Sequence, residues 1–285
     1  MNISSRMKMN NIFALTVIPR ETLKHIFFGF FIILCFGTPL FAQFEGEFSE
    51  SDQPTVYELY DIREELKYKV YYGFLMLGYV EVTRFRDTTY HGKPSIYYKS
   101  VMKSNPDLFF IGRKEEHFHS ITAKNDSIFY GLKFWSYNYH KDIPNELIYE
   151  TNPDYTEVTF EVEGEMIDTL EVTEPSLLGP DIYMYARLFA GSDTTLNSPI
   201  YVAEEYHRVT LNFQNKVKMK KYDAFDEEIP TYYMDGDAPF EGPFGFSGSF
   251  KAWFGADSLR IPLEAHAKVW IGSVKVKLTS YERIR

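Results

Sequence analysis

His117 and His119 stand two residues apart, with Glu115 two residues before them. On an extended strand this spacing puts all three side chains on one face, as a metal site built on a sheet requires. The same alternation gives Glu116 and Phe118 to the other face. If Phe118 marks the buried side, the two histidines face water, and a metal is not the first expectation. His91, His140, His207 and His266 read as isolated, so no cofactor is expected.

Asp223, Asp226, Glu227 and Glu228, followed by Asp235 and Asp237 around Gly236, are rich in oxygen ligands that calcium prefers. They lack EF-hand spacing and read as a solvated acidic loop. A carboxylate pair for glycoside hydrolysis needs a fixed separation that one dimension does not give. Ser247 and Ser273 sit outside any Gly-x-Ser-x-Gly elbow, and neither a phosphate loop nor a dinucleotide fingerprint is present. No catalytic residue is assigned, and the chain reads as a non-enzymatic protein.

The most distinctive chemistry is aromatic. Phe240, Phe244, Phe246, Phe250, Trp253 and Phe254 are interleaved with glycines and prolines, and a second cluster runs from Phe129 through Trp135 to Tyr139. Rings on such segments either close the ends of a β core or line a site for an apolar or sugar ligand. Trp135, Phe244, Phe246, Phe250, Trp253 and Phe254 are the expected lining set.

The elements that would position these rings are strands. Leu66, Tyr68, Val70 and Tyr72 alternate with polar residues, and Gly73 and Gly78 bracket the bend that leads to Val80 and Val82. Further short strands follow at 95–102, 114–121, 128–137, 146–150, 155–162 and 166–172. The second half adds 200–203, 206–213, 217–222, 248–254, 261–270 and 273–281. Turn formers such as Asn152-Pro153-Asp154 separate them.

Asp181 to Phe189 breaks this pattern with Ile182, Tyr185, Ala186 and Phe189 at helical spacing, and Gly191 as a stop. Asp181 and Arg187 are six apart and do not share a helix face. Arg187 should therefore reach the sheet and fix the helix there, as should Arg260 and Glu264. The expected fold is mainly β, a curved antiparallel sheet or barrel-like fold with one short helix near 181–190.

The ends add a cellular address. Arg6, Lys8, Arg20 and Lys24 precede the uncharged run Ile26 to Ala42, the order of a secretory signal. Its dense apolar part is shorter than the roughly 20 residues of a membrane-spanning helix. A signal peptide over 1–42 is expected, with Met7 or Met9 as alternative starts, a loose arm over 43–64, and one β-rich domain over 65–285. That domain could consist of two similar halves joined near 175–198. Cleavage would remove Cys35, the chain's one cysteine, so neither a disulfide nor thiol chemistry would remain.

The whole chain carries a formal charge of −10, and loss of the signal would take it to −13. Such a balance gives no drive toward nucleic acid, although a local basic patch can still exist.

Glu65-Leu66-Lys67-Tyr68-Lys69-Val70-Tyr71-Tyr72-Gly73 and Leu77-Gly78-Tyr79-Val80-Glu81-Val82 look like the first hairpin of an exported bacterial family, domain of unknown function 3108. Lys103-Ser104-Asn105-Pro106, the helix with Tyr185 and Arg187, Trp253, Asp257 to Leu263 and Ile271 to Leu278 resemble its later elements in order. The resemblance implies a Gram-negative envelope protein with a barrel-like β fold and supplies no activity. The chain is thus expected in the periplasm or at the outer-membrane periphery, without a transmembrane anchor. It would bind an apolar or amphipathic ligand, a lipid or glycolipid, in an aromatic-lined concavity. The alternatives are a module that binds other envelope proteins and a carbohydrate-binding or carbohydrate-active protein.

Overall fold

Period-two patterning builds most of the described residues into a single sheet. The computed structural model describes residues 53–108, 112–123, 130–138, 147–240, 246–269 and 272–284, without the side chains of Arg86 and Phe246. The signal segment, Cys35, His140 and Phe244 lie outside the described residues.

The first half holds β1 (Glu64–Tyr72), β2 (Leu75–Tyr90), β3 (Lys93–Ser104), β4 (Glu115–Ala123), β5 (Gly131–Asn138), β6 (Leu147–Thr151), β7 (Glu157–Val162) and β8 (Glu165–Glu171). After them come β9 (Leu177–Leu178), β10 (Thr195–Val202), β11 (Glu205–Lys221), β12 (Glu228–Ala238), β13 (Phe246–Gly255), β14 (Pro262–Val269) and β15 (Ser273–Arg283). Two short helices, α1 (Val56–Tyr60) and α2 (Asp181–Arg187), complete the described elements.

The strand order is β8-β7-β6-β5-β4-β3-β2-β1-β15-β14-β13-β12-β11-β10-β9. Two runs of hairpins thus meet where β1 pairs with β15, the first and last strands of the chain. Every pairing is antiparallel except β9 with β10. The long strands β2 and β11 slip register between Phe85 and Thr88 and between Phe213 and Val217, and bulges of this kind bend a strand and tighten its twist.

The resulting curl brings β9 beside β5, where the Gly131 N–H donates to the Ser176 carbonyl at 2.9 Å. No ladder closes the sheet there, so it is barrel-like but open. Phe134, Tyr149, Val158, Phe160, Leu178 and Tyr201 pack across that seam. The expected β class and the single central helix are both found.

The hollow of the sheet is occupied by α2. None of its residues is exposed, and Met184 and Ala186 join Ile96, Val209, Leu211, Met234 and Phe254 in one apolar cluster. The helix is apolar between its ends, and its two charged residues, Asp181 and Arg187, are buried with it. Val209 and Leu211 are fully buried, and each such side chain contributes on the order of 2 kcal/mol.

Arg187 does reach the sheet. Both its Nη atoms donate to Glu64 of β1, and its Nε donates to the Leu259 carbonyl at 2.9 Å. Arg260 Nε binds the Ala190 carbonyl at 2.8 Å, which ties the chain just beyond the helix to the β13–β14 connection. Glu264 does not share this role; it binds Lys220, His266 and Lys277 instead.

Two other expectations need correction. The arm contains α1, started by a capping box in which the Thr55 side chain accepts from the Glu58 N–H and the Glu58 carboxylate takes the Thr55 N–H. Leu59, Tyr60 and Ile62 are buried, so this part of the arm belongs to the core.

The acidic stretch is not one loop. Asp235 and Asp237 alternate with buried Met234, Gly236 and Ala238 on β12, and only Asp223 to Glu227 form the turn before it. Gly236 is required because a Cβ there would lie 2.4 Å from both the Phe250 ring and the Thr210 carbonyl.

Candidate functional site

At one end of the sheet the β1–β2 hairpin, the β11–β12 turn and the start of β15 enclose a groove of about 330 Å³. Gly73, with φ of +60°, and Phe74 form the two-residue hairpin turn, and glycine adopts that positive φ without strain. The turn leaves Phe74 95% exposed at the rim.

Beneath the groove Tyr222 and Leu278 are buried in the cluster of Leu66, Tyr68, Val80 and Leu263, and the lining itself is more polar than apolar. Its walls carry Lys221, Lys275 and Lys277 against one acid, Asp223. The Lys221 ammonium donates to the Phe225 carbonyl at 2.8 Å, and Lys277 lies 3.7 Å from Glu264. Lys275 has no ion pair among the described residues. A polar lining with a local excess of positive charge and the exposed Phe74 ring at its rim suits a molecule with an anionic head and an apolar part that meets that ring.

The residues expected to line a ligand site divide between the two faces of the sheet. Phe250 and Phe254 point inward to the cluster around α2. Trp135 and Trp253 lie on the outer face, in separate patches. Phe244 and the side chain of Phe246 are not described.

Trp135 ends a row of stacked rings that crosses four strands. Phe85 and Tyr97 stack at 5.4 Å, Tyr97 and His119 at 5.8 Å, and His119 and Trp135 at 4.7 Å with only 6° between planes. His117 and His119 are therefore on the outer face as alternation demands, but the neighbouring rings cover them to 7% and 6% exposure instead of leaving them wet.

His117 Nε2 lies 2.8 Å from Glu115 Oε1, and His119 Nδ1 lies 2.5 Å from the Tyr97 hydroxyl. Burial, with Lys99 and His117 nearby, pulls His119 down to about 4. A neutral imidazole locked between two rings serves packing. Among the described residues no group of His, Cys, Asp and Glu is arranged to hold a metal ion.

Trp253 has Lys220 Nζ 3.7 Å above its ring and His266 at 4.7 Å. Buried Glu264 organises this patch, binding Lys220 and lying 2.6 Å from His266 Nε2. Burial pushes the Glu264 carboxyl up, but the Lys220 and His266 contacts win and hold it below the usual range. Sequence reading missed this cluster, although Glu264 and His266 repeat the two-residue spacing of Glu115 and His117. A face of each tryptophan is thus already covered, by His119 in one case and by Lys220 in the other, where a sugar would need it open.

No family model matches the chain, and no curated protein matches it. The likeness to domain of unknown function 3108 therefore rests on the residues quoted above. Among solved structures, a beta-barrel-like protein of Domain of Unknown Function DUF1849 from Brucella abortus aligns over 78% of this chain and 98% of its own, with 9% identity and a TM-score of 0.48. A "putative lipoprotein" from Parabacteroides distasonis aligns over 78% of this chain and 96% of its own, with 8% identity and a TM-score of 0.31. Neither likeness supplies a functional residue. What the chain itself shows is one large curved, open β sheet wrapped around a buried helix.

Proposed function

We propose that this is an exported envelope protein that binds an amphipathic molecule with an anionic head, a lipid or glycolipid, in the groove between Phe74 and Lys275. The observation that carries the reading is the groove's composition. Phe74 and Tyr71 supply aromatic surface, and three lysines supply charge, on a chain whose total charge is strongly negative. The site differs from the concavity expected from sequence because α2 fills the hollow of the sheet.

The signal-like segment supports export. No helix among the described residues is long and apolar enough to cross a membrane. A groove of this size takes the head and first part of an acyl chain, since ligand sites begin at roughly 300 Å³.

Calorimetric titration with decyl phosphate and with decyltrimethylammonium, at concentrations below micelle formation, tests the reading. The anionic compound should bind and the cationic one should not. Equal binding of both, or of neither, would remove the groove as a site for anionic amphiphiles.

A further inference from the structure

Three arginines are sealed inside the sheet, and they are not equivalent. Arg187 is held by Glu64 and the Leu259 carbonyl, and Arg260 by the Ala190 and Asp257 carbonyls with the Tyr232 ring 4.8 Å away. Arg84 is 1% exposed, and its Nε, Nη1 and Nη2 have no hydrogen-bond partner.

The strand pattern fixes that guanidinium inside. Val80, Val82 and Arg84 take the buried face of β2, and Arg84 lies directly between Glu64 on β1 and Tyr98 on β3. The next position in the same cross-strand row is Ser120 on β4, fully buried, whose hydroxyl also has no partner. Strands lie about 4.8 Å apart, so two orphaned donor groups flank Tyr98 in one row.

Neither nearby carboxyl hydrogen-bonds Arg84. Glu64 lies close enough to share its charge with Arg84, but its hydrogen bonds go to the guanidinium of Arg187. Asp181 accepts hydrogen bonds from the Tyr98 hydroxyl, from the Thr122 hydroxyl at 3.3 Å and from the Leu178 N–H at 3.0 Å. Burial pushes its carboxyl well above the usual range, toward the neutral form. Burial also pulls Arg84 down, to about 10, which leaves it charged at neutral pH. Arg84 is therefore a buried cation whose donors make no hydrogen bond and which shares the charge of Glu64 with Arg187, and a buried charge so poorly satisfied is costly.

We propose that Arg84 and Ser120 mark an interior site for an oxyanion, a carboxylate or phosphate group received by the fork of the Arg84 guanidinium. Guanidinium geometry matches two oxygens of such a group, and a serine hydroxyl can donate to a third or to a bridging water. This site is separate from the lysine groove and stands whether or not the groove binds an amphiphile.

Thermal unfolding of the protein with acetate, inorganic phosphate, decanoate and decanol tests the proposal, in wild type and in Arg84→Met, Arg84→Lys and Ser120→Ala. At least one oxyanion should raise the wild-type Tm in a saturable way, and decanol should not. A response to acetate or phosphate indicates a free ion, and a response to decanoate alone indicates a lipid head.

Arg84→Lys, which keeps the charge but loses the fork, should weaken the apparent affinity at least tenfold, and Ser120→Ala by a smaller factor. Arg84→Met should abolish the response. Without ligand it should unfold at the same or a higher temperature than wild type, because it removes a buried charge whose donors no hydrogen bond satisfies. Replacing Lys221, Lys275 and Lys277 by Glu should leave the response intact, which separates this site from the groove. An absent wild-type response to every oxyanion, or an equal response in Arg84→Lys, overturns the proposal.

Discussion

Glu64 and Arg187, 123 residues apart in sequence, form a buried ion pair that joins the first strand to the central helix. Arg187 Nη2 lies 3.3 Å from Glu64 Oε2, and neither side chain has any exposed surface. Burial pushes the Glu64 carboxyl up, but Arg187, helped by Arg84, more than offsets it and holds the carboxyl below its usual range. Glu64→Gln would leave the guanidinium buried without its counter-charge and should cost about 3–5 kcal/mol. Urea unfolding followed by circular dichroism should show the midpoint fall with an unchanged slope.

How much of this was legible in the sequence follows from how local each cause is. Alternation announces β1 and β2 because every second residue there packs on the same core. The helix announces itself through Ile182, Tyr185, Ala186 and Phe189, and the mismatch of Asp181 with Arg187 correctly sends Arg187 to the sheet. The partner Glu64 was hidden, because nothing near it in sequence marks it as buried.

The acidic residues misled in the other direction. Asp235 and Asp237 suggested a loop, while the small and apolar residues between them were building β12. The groove was invisible for a similar reason: Phe74, Tyr222 and Lys275 come from three distant turns and strands that meet only after the sheet curls. The aromatic pattern pointed to Trp135 and Phe254 alike, and sequence alone did not place them on opposite faces.

His119 sets a pH dependence. Its folded pKa, about 4, lies below the ordinary 6.5, so the unfolded chain binds more protons between these values. Its contribution to stability should be complete above pH 6.5 and disappear as pH falls toward 4. Glu64, also shifted down, should lose its contribution at lower pH, below the ordinary carboxylate range. In His119→Phe the slope of unfolding free energy between pH 6.5 and 4 should flatten, while the acid limb below it remains. An unchanged slope would show that His119 does not titrate as its surroundings require.

Gly131 guards the seam. A Cβ at this position would lie 2.5 Å from Asp181 Oδ2 and 2.5 Å from Leu178 Cγ, against atoms held in the core. Gly131→Ala should therefore cost about 1–3 kcal/mol as an overpacked site. Hydrogen exchange should show faster opening around Leu177 and Leu178 than around β1 and β15, because the β9–β5 contact is local.

Phe74 should matter for binding and not for folding. A ring 95% exposed at a hairpin tip packs on little in the folded chain, so Phe74→Ser should change stability by less than about 0.5 kcal/mol. It should still weaken binding of decyl phosphate several-fold, as measured by calorimetry. A large loss of stability with unchanged binding would reverse the roles assigned here.

The central claim is that the lysine groove holds an anionic amphiphile, and native mass spectrometry of protein isolated from its own cells tests it most directly. The wild-type chain should carry an adduct whose mass fits a lipid or glycolipid. A variant with Lys221, Lys275 and Lys277 all replaced by Glu should retain the wild-type circular dichroism and lose the adduct. A wild-type protein that is repeatedly recovered at its bare mass, or a triple variant that keeps the adduct, would contradict the claim.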